Sequence, residues 1–363
     1  MNYPKIRTKE AISIILTVAI AHSILSMPKN LVSNVKSSIL LNLALVFIVL
    51  LAVGFIIIKL FKNFPGSDIL DVSEYLGGKT FKKLLGLFFI TYFIISSSFL
   101  LREFCEAIKI VYFPMTNIFF VMLFFTIAVG IASRLEFSAT LKTNLIIVPL
   151  VCISIIFLFL ANLKNLNTNT LFPILGNGFY NTFILGLGNI YSFSGIIILY
   201  FLPPLLQKPE NFKKVTFTSI IIFIIYLVLI VMSILLTFSY FMSEDEMLPL
   251  YAAARYIEIG TFFVRLESIF LLIWIIAFAC YLSISIHFSM LIFKKIANIK
   301  ETKALAYPFT ILILSIALLP NTYSAAKSYE SNVYPYIIIG FSFVFCILLL
   351  AFANLKRRKE RNS

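Results

Sequence analysis

The stretch "AIAHSILSMPKN", residues 19–30, lies inside an apolar run and breaks its pattern in the middle. His22 falls at mid-depth, Ala21, Ser23 and Ser26 interrupt the aliphatic side chains around it, and Pro28 follows. Backbone N–H and C=O groups cannot go unpaired against lipid, so an interruption at this depth has to line a protein-walled space. The expectation is that residues 21–26 unwind and that Ala21, His22 and Ser23 present polar groups to a ligand. Pro28 then sits in the first turn of a renewed helix, where its missing N–H costs nothing. His22 has two readings: contact with a ligand or a gated proton, or a neutral ring bonded to a carbonyl that the break frees.

The surrounding chain supplies the membrane. Of its 363 residues 61% are hydrophobic and 13% charged, with a mean hydropathy of +1.01. Soluble domains are about half apolar and about a quarter charged, so this is an integral membrane protein. Apolar stretches long enough to span fall near 10–32, 37–60, 83–107, 113–132, 141–161, 181–203, 214–241, 263–291, 304–320 and 332–354. The expected fold class is all-α, with about ten transmembrane helices in one domain over 1–363.

A net charge of +14 invites a nucleic-acid reading, but its distribution follows the membrane. With the N-terminus inside, 22 of the 30 Lys and Arg residues fall in inner segments. That is the positive-inside bias; it puts both termini on the cytoplasmic side and makes "KRRKER" (356–361) an orientation signal. The basic, then apolar opening ending in Ala19-Ile20-Ala21 mimics a signal peptide. Its removal would leave nine spans and force a basic segment outward, so it is read as the first span.

Little points to catalysis. No phosphate loop, nucleophile elbow or paired catalytic carboxylate is present. Cys105, Cys152, Cys280 and Cys346 lie in four different spans, which suits reduced core residues, and two well-separated histidines make no metal centre. No enzyme activity, metal or cofactor is expected.

A second interruption stands in the sixth span, "ILGLGNIYSFSG" (184–195), where Gly186, Gly188, Asn189, Ser192, Ser194 and Gly195 surround the midpoint. Spans 1 and 6 open two five-helix halves, about 10–161 and 181–320, with a last helix near 332–354. Five is odd, so the halves insert in opposite senses, and matched breaks in inverted halves point to a central substrate site. Close packing at small residues is the plainer reading of either break alone.

The third span, "TYFIISSSFLLREFCEAIK" (91–109), carries Tyr92, Ser96, Phe99, Glu103 and Glu106 at helical spacing. The eighth, "RLESIFLLIWIIAFACYLSISIH" (265–287), places Tyr281 and Ser285 one turn apart. Tyrosine and serine can hydrogen-bond a small zwitterion or polyol without adding charge to the bilayer. Arg102, Glu103, Glu106, Arg265 and Glu267 fall near the outer ends of these spans, where pairing lowers the cost of burial. They read as a structural ion-pair cluster or an outer gate.

Three blocks carry a family resemblance: "FPILGNG" (172–178), "FLPPL" (201–205) and "RYIEIGTFFVRLESIFLLIWI" (255–275). With them the chain resembles, over nearly its whole length, the B subunit of bacterial spore germinant receptors. That family is a branch of the amino acid–polyamine–organocation transporter superfamily. The resemblance implies a LeuT-like fold and a pocket among spans 1, 3, 6 and 8 that includes Tyr92, Ser96, Ser194, Tyr281 and Ser285. It also implies location in the spore inner membrane, a small-molecule germinant such as an amino acid, and two partners, a membrane A subunit and a lipoprotein C subunit. Relatives often carry glycines in the first break, where this chain has Ala21, His22 and Ser23. The alternative function is a secondary transporter for amino acids or related solutes, for which the sequence offers no clear coupling carboxylate at mid-membrane.

Overall fold

In a computed structural model, which describes residues 5–25, 27–165, 167–238, 248–257 and 267–362, every regular element among the described residues is helical. Among the described residues six helical stretches have the length and composition to cross a membrane: Met27–Phe61, Ile69–Tyr112, Phe137–Ala161, Pro209–Thr237, Glu267–Ala297 and Tyr323–Arg361. Two shorter apolar helices, Ile118–Ser133 and Lys303–Ala317, accompany them.

The opening helix α1 (Thr8–Ser23) is the innermost, buried at every position from Ser13 to Ser23. A helix that is apolar all round belongs in an interior. It ends at Ile24 and Leu25, and the chain resumes as α2 (Met27–Val35) with Pro28 in the first turn. The interruption therefore exists, but Ala21, His22 and Ser23 are not unwound. They form the last turn of α1, since local bonds hold that turn: the Ser23 hydroxyl donates to the Ile20 carbonyl at 2.7 Å. Ser26 lies outside the described residues.

Helix α3 (Ile39–Phe61) follows, then α4 (Ile69–Tyr112), which starts well before the expected span. Asp68 caps it, accepting from the N–H groups of Leu70 (2.9 Å) and Asp71 (3.1 Å), while Asp71 accepts in return from the Asp68 N–H. Gly78 kinks it with φ +75°, a left-handed conformation that glycine adopts without a Cβ penalty. Helices α5 (Ile118–Ser133) and α6 (Phe137–Ala161) expose Phe120, Phe124, Ile146 and Ile153, as lipid-facing surfaces do.

The sixth span is more irregular than a single break. A π turn (Tyr180–Ile184) and a 3-10 stretch (Leu185–Ser192) precede one α turn, α7 (Ile196–Leu199). Gly195 presses on α1: a Cβ there would stand 2.4 Å from the Ile15 carbonyl oxygen. The outer part is tied down by amides. Asn34 donates to Asn189 (2.9 Å), Asn189 to Asn42 (2.8 Å), and Asn42 to the Thr182 carbonyl (2.9 Å).

Helix α8 (Phe212–Thr237) packs on α1 and α3, α9 (Pro249–Arg255) follows, and α10 (Glu267–Ala297) runs along α4. After α11 (Ala306–Ala317) and α12 (Tyr323–Asn332), the last span combines α13 (Tyr334–Ile337), a π segment (Ile338–Phe345) and α14 (Cys346–Asn362). The basic tail is helical and packs on the start of α4, where Lys356 donates to the Tyr75 carbonyl and Tyr75 to Glu360. The four cysteines are free.

Candidate functional site

Four elements converge beside the first helix break. The last turn of α1 contributes His22, α4 contributes Tyr92 and Ser96, α10 contributes Tyr281, and α13 contributes Tyr334. The Ser96 hydroxyl lies 3.1 Å from that of Tyr281 and 3.4 Å from His22 Nε2, which in turn lies 3.3 Å from the Tyr281 hydroxyl. Tyr334 stacks on the imidazole at 4.5 Å between ring centres, and Tyr281 meets it edge-on at 5.3 Å. Tyr92 lies one turn before Ser96 on α4 and is buried.

All five side chains are buried, and none is an acid or a permanent cation. Neutral donors and acceptors cost far less inside a bilayer than charges do. The three contacts among Ser96, Tyr281 and His22 are long for bonds between hydroxyls and imidazole. Such a set can exchange partners with the polar ends of a small molecule.

Of the other expected residues, Ala21 and Ser23 flank His22 in the same buried turn. Ser194 touches α1: its hydroxyl donates to the Val18 carbonyl at 3.1 Å across the break of the sixth span. Ser285 lies one turn beyond Tyr281 on α10, fully buried, and its hydroxyl has no partner among the described residues. A buried hydroxyl left unpaired is costly, so its persistence asks for a partner.

The outer charges divide. Arg102 pairs with Glu106 (Nη2–Oε1 2.9 Å) and reaches the Ala317 carbonyl with its other arm. Glu103 is buried beside them, and Glu267 opens α10 half-buried. Arg265 lies outside the described residues.

Two polar sites escaped the sequence reading. Tyr334 was hidden at the start of the last span, outside both halves. Lys295, counted among the topological charges, instead lies buried with its amine 2.7 Å from Asp68 and 2.7 Å from Asp71. Nearby Lys5 donates to the Pro204 carbonyl and Ile6 pairs with Leu205–Gln207 through backbone bonds, fastening the N-terminus over the end of the sixth span.

A helical membrane protein with a neutral polar cluster buried at an interrupted helix is transporter-like in build. The comparison with known families is specific. The family model described as "Spore germination protein" matches residues 5–326, and the chain belongs to this family of spore germination permeases. It is similar to the spore germination protein YndE of Bacillus subtilis (strain 168), with 26% identity over 279 residues, 75% of each chain.

Proposed function

We propose that the protein is the nutrient-sensing membrane subunit of a spore germinant receptor, with a small neutral or zwitterionic molecule such as an amino acid bound at the His22 cluster. The observation that carries this reading is the convergence of His22, Ser96, Tyr281 and Tyr334 at the break between α1 and α2. On this reading the helices form ten spans in a LeuT-like pair of inverted five-helix halves, with both termini on the spore-core side of the inner membrane. Ligand replaces the contacts of the closed cluster, and the change passes to a membrane A subunit and a lipoprotein C subunit.

The test is direct. A deletion strain should lose its germination response to one class of nutrient, and the purified protein should bind that class. Binding without accumulation in proteoliposomes supports a receptor; gradient-driven accumulation makes it a working transporter. A deletion strain that responds to every nutrient as before overturns both.

A further inference from the structure

Among the described residues, three of the open grooves along the helices can be compared. Two, beside Ile108, Phe124 and Leu272 and beside Phe81, Phe88 and Phe345, have no charged residue in their linings. The third, about 510 Å³ between the end of α3 and the start of α8, is built differently: Lys59, Lys62 and Lys213 line it together with Phe55, Ile58 and Phe217. Each lysine stands four residues, one helical turn, from one of these apolar side chains, and in each case the lysine is nearer the helix end. The groove thus pairs three cations near the helix ends with an apolar wall one turn further in, and Phe61, Phe64 and Phe212 complete the lining among the lysines.

The lysines are exposed and make no ion pair with the described residues. Glu210 is the one acidic side chain in the lining, so the groove carries an excess of two positive charges. Arg357 of the basic tail lies close by, over the ring of Phe64, at 5.1 Å. The floor is tight. Gly54 lets α3 approach α8, where a Cβ would stand 3.0 Å from Ile220 and 3.1 Å from Thr216.

We infer that this groove is a binding site for an anionic phospholipid, its phosphate held by Lys59, Lys62 and Lys213 and an acyl chain lying against Phe55, Ile58 and Phe217. The two other grooves hold no charged side chain and need no charged ligand. Three lysines beside an apolar wall in one groove are what an anionic headgroup with an acyl chain matches.

The full chain, purified in a neutral detergent, is titrated with phosphatidylglycerol or with phosphatidylcholine of the same acyl chains, and bound lipid is read by native mass spectrometry. Phosphatidylglycerol should bind at least about tenfold more tightly, with glycerol 3-phosphate unable to displace it. Replacing Lys59, Lys62 and Lys213 together by Gln should bring phosphatidylglycerol binding down to the level of phosphatidylcholine, a loss of at least about tenfold, while phosphatidylcholine binding stays unchanged and reports an intact fold. The corresponding triple replacement by Arg should retain it. Gln at Lys79, Lys300 and Lys359, away from the groove, should have no effect. Equal affinity for the two lipids, displacement by glycerol 3-phosphate, or an equal loss in the second Gln triple would each overturn the site.

Discussion

Helices α4 and α10 are joined at two buried polar places that differ in kind. At one, Ser96 of α4 meets Tyr281 of α10 and His22 through contacts of 3.1–3.4 Å among uncharged groups. At the other, Lys295 near the end of α10 sits 2.7 Å from both Asp68 and Asp71 at the start of α4. The charged knot also carries the cap of α4, because Asp68 holds the first N–H groups of that helix. The helix pair is locked at one end and soft at its middle. A soft neutral site can give up its internal contacts to a ligand, whereas a buried ion pair cannot lose a partner without stranding charge.

The largest effect should follow from breaking the locked end. Lys295→Met leaves two carboxylates near one another without their cation and should cost about 3–5 kcal/mol, seen as a steep fall in the amount of protein in the membrane. Adding Asp68→Asn should restore part of it, because asparagine still caps a helix while removing one of the charges. Normal abundance of the Lys295→Met protein would show that the two places do not differ in this way.

Next in size is the amide ladder at the sixth span. Asn189→Leu deprives Asn34 and Asn42 of a partner at once, and interhelical amide bonds in membranes are worth about 1–2 kcal/mol at most. Abundance should fall moderately, and the midpoint of thermal unfolding in detergent should fall with it. An unchanged midpoint would mean that the ladder does not hold the irregular span.

At the soft middle, Tyr281→Phe removes a hydroxyl shared by His22 and Ser96 but keeps the ring against the imidazole. A hydrogen bond of this kind contributes about 0.5–1.5 kcal/mol net, so protein level should stay near normal. The nutrient concentration for half-maximal germination should rise several-fold. A large loss of protein with an unshifted response would make the cluster structural, and the contrast with Lys295 would disappear.

How far these places could be read from sequence depends on what each needs. The break after α1 was legible because Pro28 and the small residues near it oppose a continuous apolar helix, although its start was placed three residues early. Propensity does not reveal that the bond from Ser23 to Ile20 keeps the last turn closed. Tyr92, Ser96 and Tyr281 were found because helical periodicity puts polar side chains on an inward face. Tyr334 was missed, since a tyrosine at the start of a span reads as an interfacial anchor until its stacking on His22 is seen. Lys295 was missed for a related reason: a lysine near a helix end satisfies the charge rule, and only the fold brings residues 68 and 71 to it. Asn42 and Asn189 did leave a signal, because an amide inside an apolar span requires a partner.

The smallest expected change in stability, and the sharpest statement about the soft site, concerns Ser285. Its hydroxyl is buried one turn from Tyr281 and has no partner among the described residues. An unpaired buried hydroxyl carries a desolvation cost of about 1–3 kcal/mol, so Ser285→Ala should leave the unfolding midpoint of the ligand-free protein unchanged or slightly higher. The same hydroxyl, if a germinant completes its bonding, supports binding only when ligand is present. The substituted protein should then be at least as stable alone, gain less stability than the parent when the nutrient is added, and need a higher nutrient concentration for germination. Equal ligand-induced stabilisation of parent and Ser285→Ala would place the germinant away from this turn of α10, leaving Ser96, His22 and Tyr281 to hold it without Ser285.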